Sequence, residues 1–227
     1  MDFQRLPARS PRPRPPLTAH PHRFRPGKGD YAATTVLLLY DGGVSDTSLE
    51  PFGTTLAPGA CLLTPRGRRA DTVLGTPCFF RPDKRGTPRA TDLLQSTEDV
   101  LALLRLAAPA YGVTSGRVIA VGLAQGASLG ASVLIRSPAA LVAAVLWRPR
   151  RIPVPRELPD LRGRAVLISS GARGNEATEA SGLARYLAGA GAAVTLLPPA
   201  EGELLSLIEL ADARAWLLST FPDLVSE

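Results

Sequence analysis

Residues 117–136 read RVIAVGLAQGASLGASVLIR. The apolar run Val118 to Val121 meets Gly122-Leu123-Ala124-Gln125-Gly126 and passes into a small-residue helix that ends near Arg136. Strand, tight glycine turn and helix, in that order, lift the middle residue of the five above the sheet, where a serine would be a nucleophile. Each glycine has a steric reason. A side chain at Gly122 or Gly126 would collide with the neighbouring strand or helix where the chain reverses. The lifted residue is Ala124, a methyl group. A Ser-His-Asp mechanism also needs a base that titrates near neutrality. The only histidines are His20 and His22, before the body of the chain. Cys61 is expected in a buried strand and Cys78 in a loop, so neither is placed as a nucleophile. Ser128, one helical turn beyond Ala124, has no evident base and reads as a small residue for close helix–sheet packing.

The elements that must hold these residues alternate along the chain. Apolar runs at 34–40, 60–64, 118–121, 141–147, 165–170 and 193–197 read as buried strands. Residues 47–57, 91–108, 176–190 and 203–219 read as helices beside the one that follows Gly126 and ends near Arg136, with 91–108 clearly amphipathic and ended by Pro109 to Gly112. Residues 66–89, rich in Gly, Pro and Arg, read as one long loop. Phe79 and Phe80 within it either line a pocket or pin the loop to the body. Strands alternating with helices imply right-handed crossovers and a mostly parallel sheet of six to eight strands with helices on both faces. Ligands of such sheets bind above the carboxyl ends of the strands.

Composition narrows the class. At 227 residues the chain is long enough for one α/β domain with a sizeable core. No apolar run approaches the ~20 residues needed to span a bilayer, and no apolar leader opens the chain. Two cysteines in a chain of this length point to a reducing compartment, read as the cytoplasm. The net charge of +6 is concentrated in residues 1–30, which carry seven basic and two acidic side chains. The remainder is nearly neutral, which argues against nucleic-acid binding. Arginine dominates the basic residues, with only Lys28 and Lys84 as lysines, a pattern of high-GC bacterial codon usage. Residues 1–22 hold four arginines and six prolines without apolar periodicity and read as a disordered arm. Residues 23–227 form the single domain. His20 and His22 alone do not make a metal site, and no cofactor is expected.

From about Pro21 to Trp216 the chain resembles the bacterial phospholipase/carboxylesterase family of α/β-hydrolases. The resemblance rests on TVLLLY with its glycine loop, LAPGACLLTPRGR, CFFRP, TDLLQSTEDV, YGVTSGRVIAVGLAQGAS, AAVLWRPRRIPV and GAAVTLLPPAEGELL, in that order. It implies an α/β-hydrolase fold and a serine, aspartate and histidine triad. Residue by residue, the serine position holds Ala124, the aspartate position of a Gly-x-x-Asp loop holds Gly174, and the histidine position holds Glu203. The His-Gly that opens the family's oxyanion loop is Tyr40-Asp41. Backbone N–H groups survive such changes, so Gln125 and Gly42 remain the implied oxyanion-hole donors, with Arg66 and Arg68 as nearby cations. Loss of triad members lowers rates by about 10⁴–10⁶ in studied hydrolases.

The reading is therefore an inactive carboxylesterase-like pseudoenzyme that binds a small carboxylate or ester, or another protein. Pocket candidates are Tyr40, Asp41, Arg66, Arg68, Phe79 and Phe80. Two alternatives stand beside it. One is a lyase, isomerase or cyclase that uses the backbone donors with Tyr40, Asp41 or Glu203. The other is a weak esterase. A homodimer is compatible with the family.

Overall fold

The computed structural model describes residues 20–40, 49–70, 75–81, 87–201 and 205–225. In chain order the strands are β1 (His22–Arg25), β2 (Thr35–Leu39), β3 (Cys61–Pro65), β4 (Arg69–Ala70), β5 (Pro77–Cys78), β6 (Val118–Leu123), β7 (Ala143–Trp147), β8 (Ala165–Ser169) and β9 (Ala193–Leu196). The α-helices are α1 (Glu50–Leu56), α2 (Ala90–Tyr111), α3 (Gln125–Arg136), α4 (Glu176–Gly189) and α5 (Leu207–Thr220).

Seven strands form one sheet in the order β1-β3-β2-β6-β7-β8-β9. All neighbours are parallel except β1, which runs antiparallel to β3. Strands covered on both faces read as nearly continuous apolar runs. Accordingly β2, β3, β7 and β8 are buried along their whole length. The edge strand β9 is mostly exposed, and β1 alternates between half-buried and exposed residues. Helices α2 and α3 pack together, and α1 packs with α5.

The sequence expectation holds for the core strands and for every α-helix within a few residues. Three differences have physical reasons. First, α2 continues through Pro109 to Tyr111 and stops at Gly112, whose left-handed φ of 71° closes the cap. Proline near a helix end removes an N–H without breaking the turns before it, whereas a left-handed glycine ends the ladder. Second, the loop over 66–89 contains the two-stranded ribbon β4–β5, with Arg69 opposite Cys78. Third, the boundary of the arm moves. His20 is buried, Pro21 accepts a hydrogen bond from the Arg66 N–H at 2.8 Å, and His22 begins β1. Residues 20–22 thus belong to the body, and residues 1–19 lie outside the described residues. Among the described residues, no helix is long and apolar enough to cross a membrane.

Candidate functional site

From β2 the chain moves to β3 on one side, then returns past β2 to β6 and continues to the other side. The order therefore reverses between β2 and β6. Crevices at such a switch point are where open α/β sheets bind ligands. The turn over residues 122–126, which joins the end of β6 to the start of α3 through Ala124, sits at this point.

The turn has the geometry its spacing requires. Ala124 is held at φ 49° and ψ −107°, between the last strand residue and the first helical one. A Cβ on Gly126 would run into the backbone carbonyl of Leu39 at the end of β2. One on Gly122 would lie 2.5 Å from the backbone of Gly126. Both glycines are thus demanded by close backbone approach. The Ala124 N–H donates to the Trp147 carbonyl at 2.9 Å, which ties the apex to β7. Positive φ in a non-glycine residue stores strain of about 1–3 kcal/mol. Here the strained backbone presents a half-buried methyl group.

Ser128 is more than a small packing residue. Its hydroxyl donates to the Ala124 carbonyl at 3.1 Å and accepts from the Arg150 N–H at 2.9 Å. It is fully buried and fastens the loop after β7 beneath the turn.

Gly174 is an exposed turn residue in the loop after β8. Gly174 has φ 53°, and a Cβ there would meet nothing within 4 Å. The preceding residues are fixed. Gly171 bridges Ala200, the Ala172 N–H donates to the Ala200 carbonyl at 3.0 Å, and the Ala200 N–H donates to Ser170 at 2.7 Å. The loops after β8 and β9 therefore run side by side. Glu176, two residues beyond Gly174, is paired with Arg150 at 3.2 Å. Glu203, Asp41 and Gly42 lie outside the described residues.

Of the remaining candidates, Tyr40, Arg66, Arg68 and Phe79 gather around the loop after β3, and Phe80 stands apart. Tyr40 is buried, its hydroxyl accepts from the Gly67 N–H at 2.7 Å, and its ring lies 4.9 Å from that of Phe79. It wedges the loop after β3 against the body. Phe80 is buried in the core. Arg66, Arg68 and Phe79 line one small cavity together with His20, Ser96 and Asp99. Arg68 pairs there with Asp99 at 3.5 Å. This cavity lies beside β3, two strands or roughly 10 Å from β6 at the usual strand spacing.

Neither histidine reaches the turn. Both belong to the β1 edge, three strands or roughly 14 Å from β6. His22 Nε2 lies 2.9 Å from the Tyr111 hydroxyl. Burial, reinforced by the positive charge of Arg68, pushes the His20 imidazole below its ordinary value. Among the described residues, no group of three or more His, Cys, Asp or Glu is placed to hold a metal ion.

A buried cluster escaped the sequence reading. Arg148, at φ 54° just after β7, pairs with Glu209 at 3.1 Å, and both are almost fully buried. The Ser169 hydroxyl at the end of β8 donates to Glu209 at 3.0 Å. Ser206 and Glu209 form a reciprocal capping box at the start of α5. Glu209 therefore binds α5 to the carboxyl ends of β7 and β8. The Ser-x-x-Glu spacing at 206–209 was the signal available in the sequence.

Strand, strained apex and helix at the switch point of a mostly parallel sheet define an α/β-hydrolase. A solved carboxylesterase from Bacillus cereus superposes with a TM-score of 0.81 at 30% identity, over 89% of this chain and 95% of that one. A carboxylesterase from Mesorhizobium loti superposes with a TM-score of 0.76 at 26% identity, over 88% and 94%. MhqD of Bacillus subtilis (strain 168), a protein named as a hydrolase, is 32% identical over 198 residues, covering 86% of this chain and 96% of that protein. No family model matches the chain. The chain belongs to the carboxylesterase/phospholipase-like α/β-hydrolases.

Proposed function

We propose that this chain is a binding member of its hydrolase family, with the ligand crevice kept and the Ser-His-Asp chemistry lost. The observation that carries the reading is Ala124. Its strained backbone holds the nucleophile position above the sheet, and its side chain has no atom that can attack an ester. Two further observations support it. Gly174 leaves the aspartate position open to solvent, and both histidines sit at the far edge of the sheet. The ligand is a small carboxylate or the carbonyl of an ester. It is received at the N-terminus of α3 by the Gln125 N–H, where the helix dipole favours negative charge. The family resemblance implies a second donor at Gly42 or a neighbour, which lie outside the described residues. Cys61 and Cys78 are separate buried thiols, which supports a cytoplasmic setting.

The test is hydrolysis of a short-chain nitrophenyl ester by the native protein, by Ala124→Ser, and by the triple variant Ala124→Ser, Gly174→Asp, Glu203→His. We expect the native protein to be inert and the triple variant to turn over. Native turnover at the rates of an ordinary esterase would overturn the reading and return the chain to the active esterases. A thermal-shift panel of carboxylates and esters then identifies the ligand.

A further inference from the structure

Gly182 lies in the middle of α4, and neither packing nor backbone conformation explains it. A Cβ there would meet no atom within 4 Å, and its φ lies outside the left-handed region. The contrast with Gly126, which backs onto Leu39, is direct. A mid-helix glycine weakens a helix relative to alanine. What the missing side chain leaves open is a groove of ≈ 490 Å³. That volume falls within the roughly 300–1,000 Å³ of small-molecule sites.

The groove has two walls. Thr178, Gly182 and Tyr186 follow one another at four-residue spacing and share one stripe of α4. The extended segment 151–155 forms the opposite wall through Ile152 and Val154. At one end the Tyr186 hydroxyl donates to the Pro155 carbonyl at 3.3 Å. At the other, Arg150 bridges Glu176 at 3.2 Å and Glu179 at 3.4 Å. Ile152 and Leu183 are buried, whereas Val154 is 41% exposed and presents apolar surface to the opening. Arg151 and Arg185 also line the groove, and both are exposed. Arg150 holds both glutamates, so the charges around the groove are the guanidinium groups of Arg150, Arg151 and Arg185 against the carboxylates of Glu176 and Glu179, a net of +1.

We propose that the groove between α4 and segment 151–155 binds a small amphiphilic carboxylate. Its apolar body lies over Gly182, between Val154 and Tyr186, and its carboxylate is received by Arg151 and Arg185. Ala124 does not line this groove. The site is separate from the crevice at the turn and stands whether or not that crevice is catalytic.

Isothermal titration calorimetry with octanoate tests the site, with octanamide as the neutral analogue. The native protein is expected to bind octanoate saturably and more tightly than octanamide. Gly182→Trp fills the groove and should weaken octanoate by about tenfold or more, while Gly182→Ala keeps affinity within about twofold and raises Tm. Arg151→Glu and Arg185→Glu should each weaken octanoate and leave octanamide unchanged. Absence of saturable octanoate binding to the native protein overturns the proposal. So does unaltered affinity in a Gly182→Trp variant with a native circular dichroism spectrum. If that variant does not fold, the two exposed arginine variants decide: unchanged octanoate affinity in both overturns the assignment.

Discussion

Ala124, Gly126 and Glu209 each answer to a different force, and each makes a separable prediction. At Ala124 the force is backbone strain. Ala124→Gly removes the Cβ that makes φ 49° unfavourable. The gain should exceed the entropy of the added glycine and leave the protein more stable by about 1 kcal/mol, read from the urea midpoint. At Gly126 the force is steric. The carbonyl of Leu39 is main chain and cannot swing aside, so Gly126→Ala must separate α3 from β2. We expect a loss above about 3 kcal/mol or no soluble protein. At Glu209 the force is desolvation. Glu209→Ala takes the carboxylate partner from the buried Arg148 guanidinium and should lose about 3–5 kcal/mol in chemical denaturation. The positions of both glycines are legible in the sequence because tight spacing demands them. Arg148 and Glu209 are not, because 61 residues separate them and only the folded sheet brings them together.

The elements show why some boundaries were readable and others were not. Core strands announce themselves, since a strand covered on both faces is mostly apolar, and β7 reads apolar from Ala143 to Trp147. Strand β1 carries no such signal. Its HRFR pattern lies among prolines and arginines, and it becomes a strand only by pairing with β3, His22 opposite Pro65. At α2, the sequence places the stop at Pro109 to Gly112, and the helix ends at the last of these, Gly112. At α5 the start depends on its cap. Ser206→Ala removes the hydrogen bond to the Glu209 N–H and should lower stability by about 1 kcal/mol in a thermal melt. Ser206→Asn should restore most of it.

For the whole molecule, the docking of residues 20–22 ties stability to pH through His20. Arg68, Arg105 and His22 oppose its protonation, Asp99 favours it, and burial dominates. The folded imidazole therefore titrates below its ordinary 6.5, so the unfolded chain binds the extra proton as pH falls. Stability from a neutral His20 is fully present above 6.5 and is lost as pH falls from there toward the lowered folded value. Between about pH 7.5 and about pH 5.5, the native urea midpoint should fall further than that of His20→Gln.

The sequence alone determined the α/β architecture, the central turn and the absence of a serine, because apolar period, glycine spacing and residue identity are local facts. Only the tertiary structure decided that Ala124 carries strain and that His20 is buried at the sheet edge. Only it showed that Glu209 clasps two strand ends and that Gly182 opens a groove. Each of these depends on which distant backbone or side chain arrives beside it, and a linear pattern carries no information about that arrival.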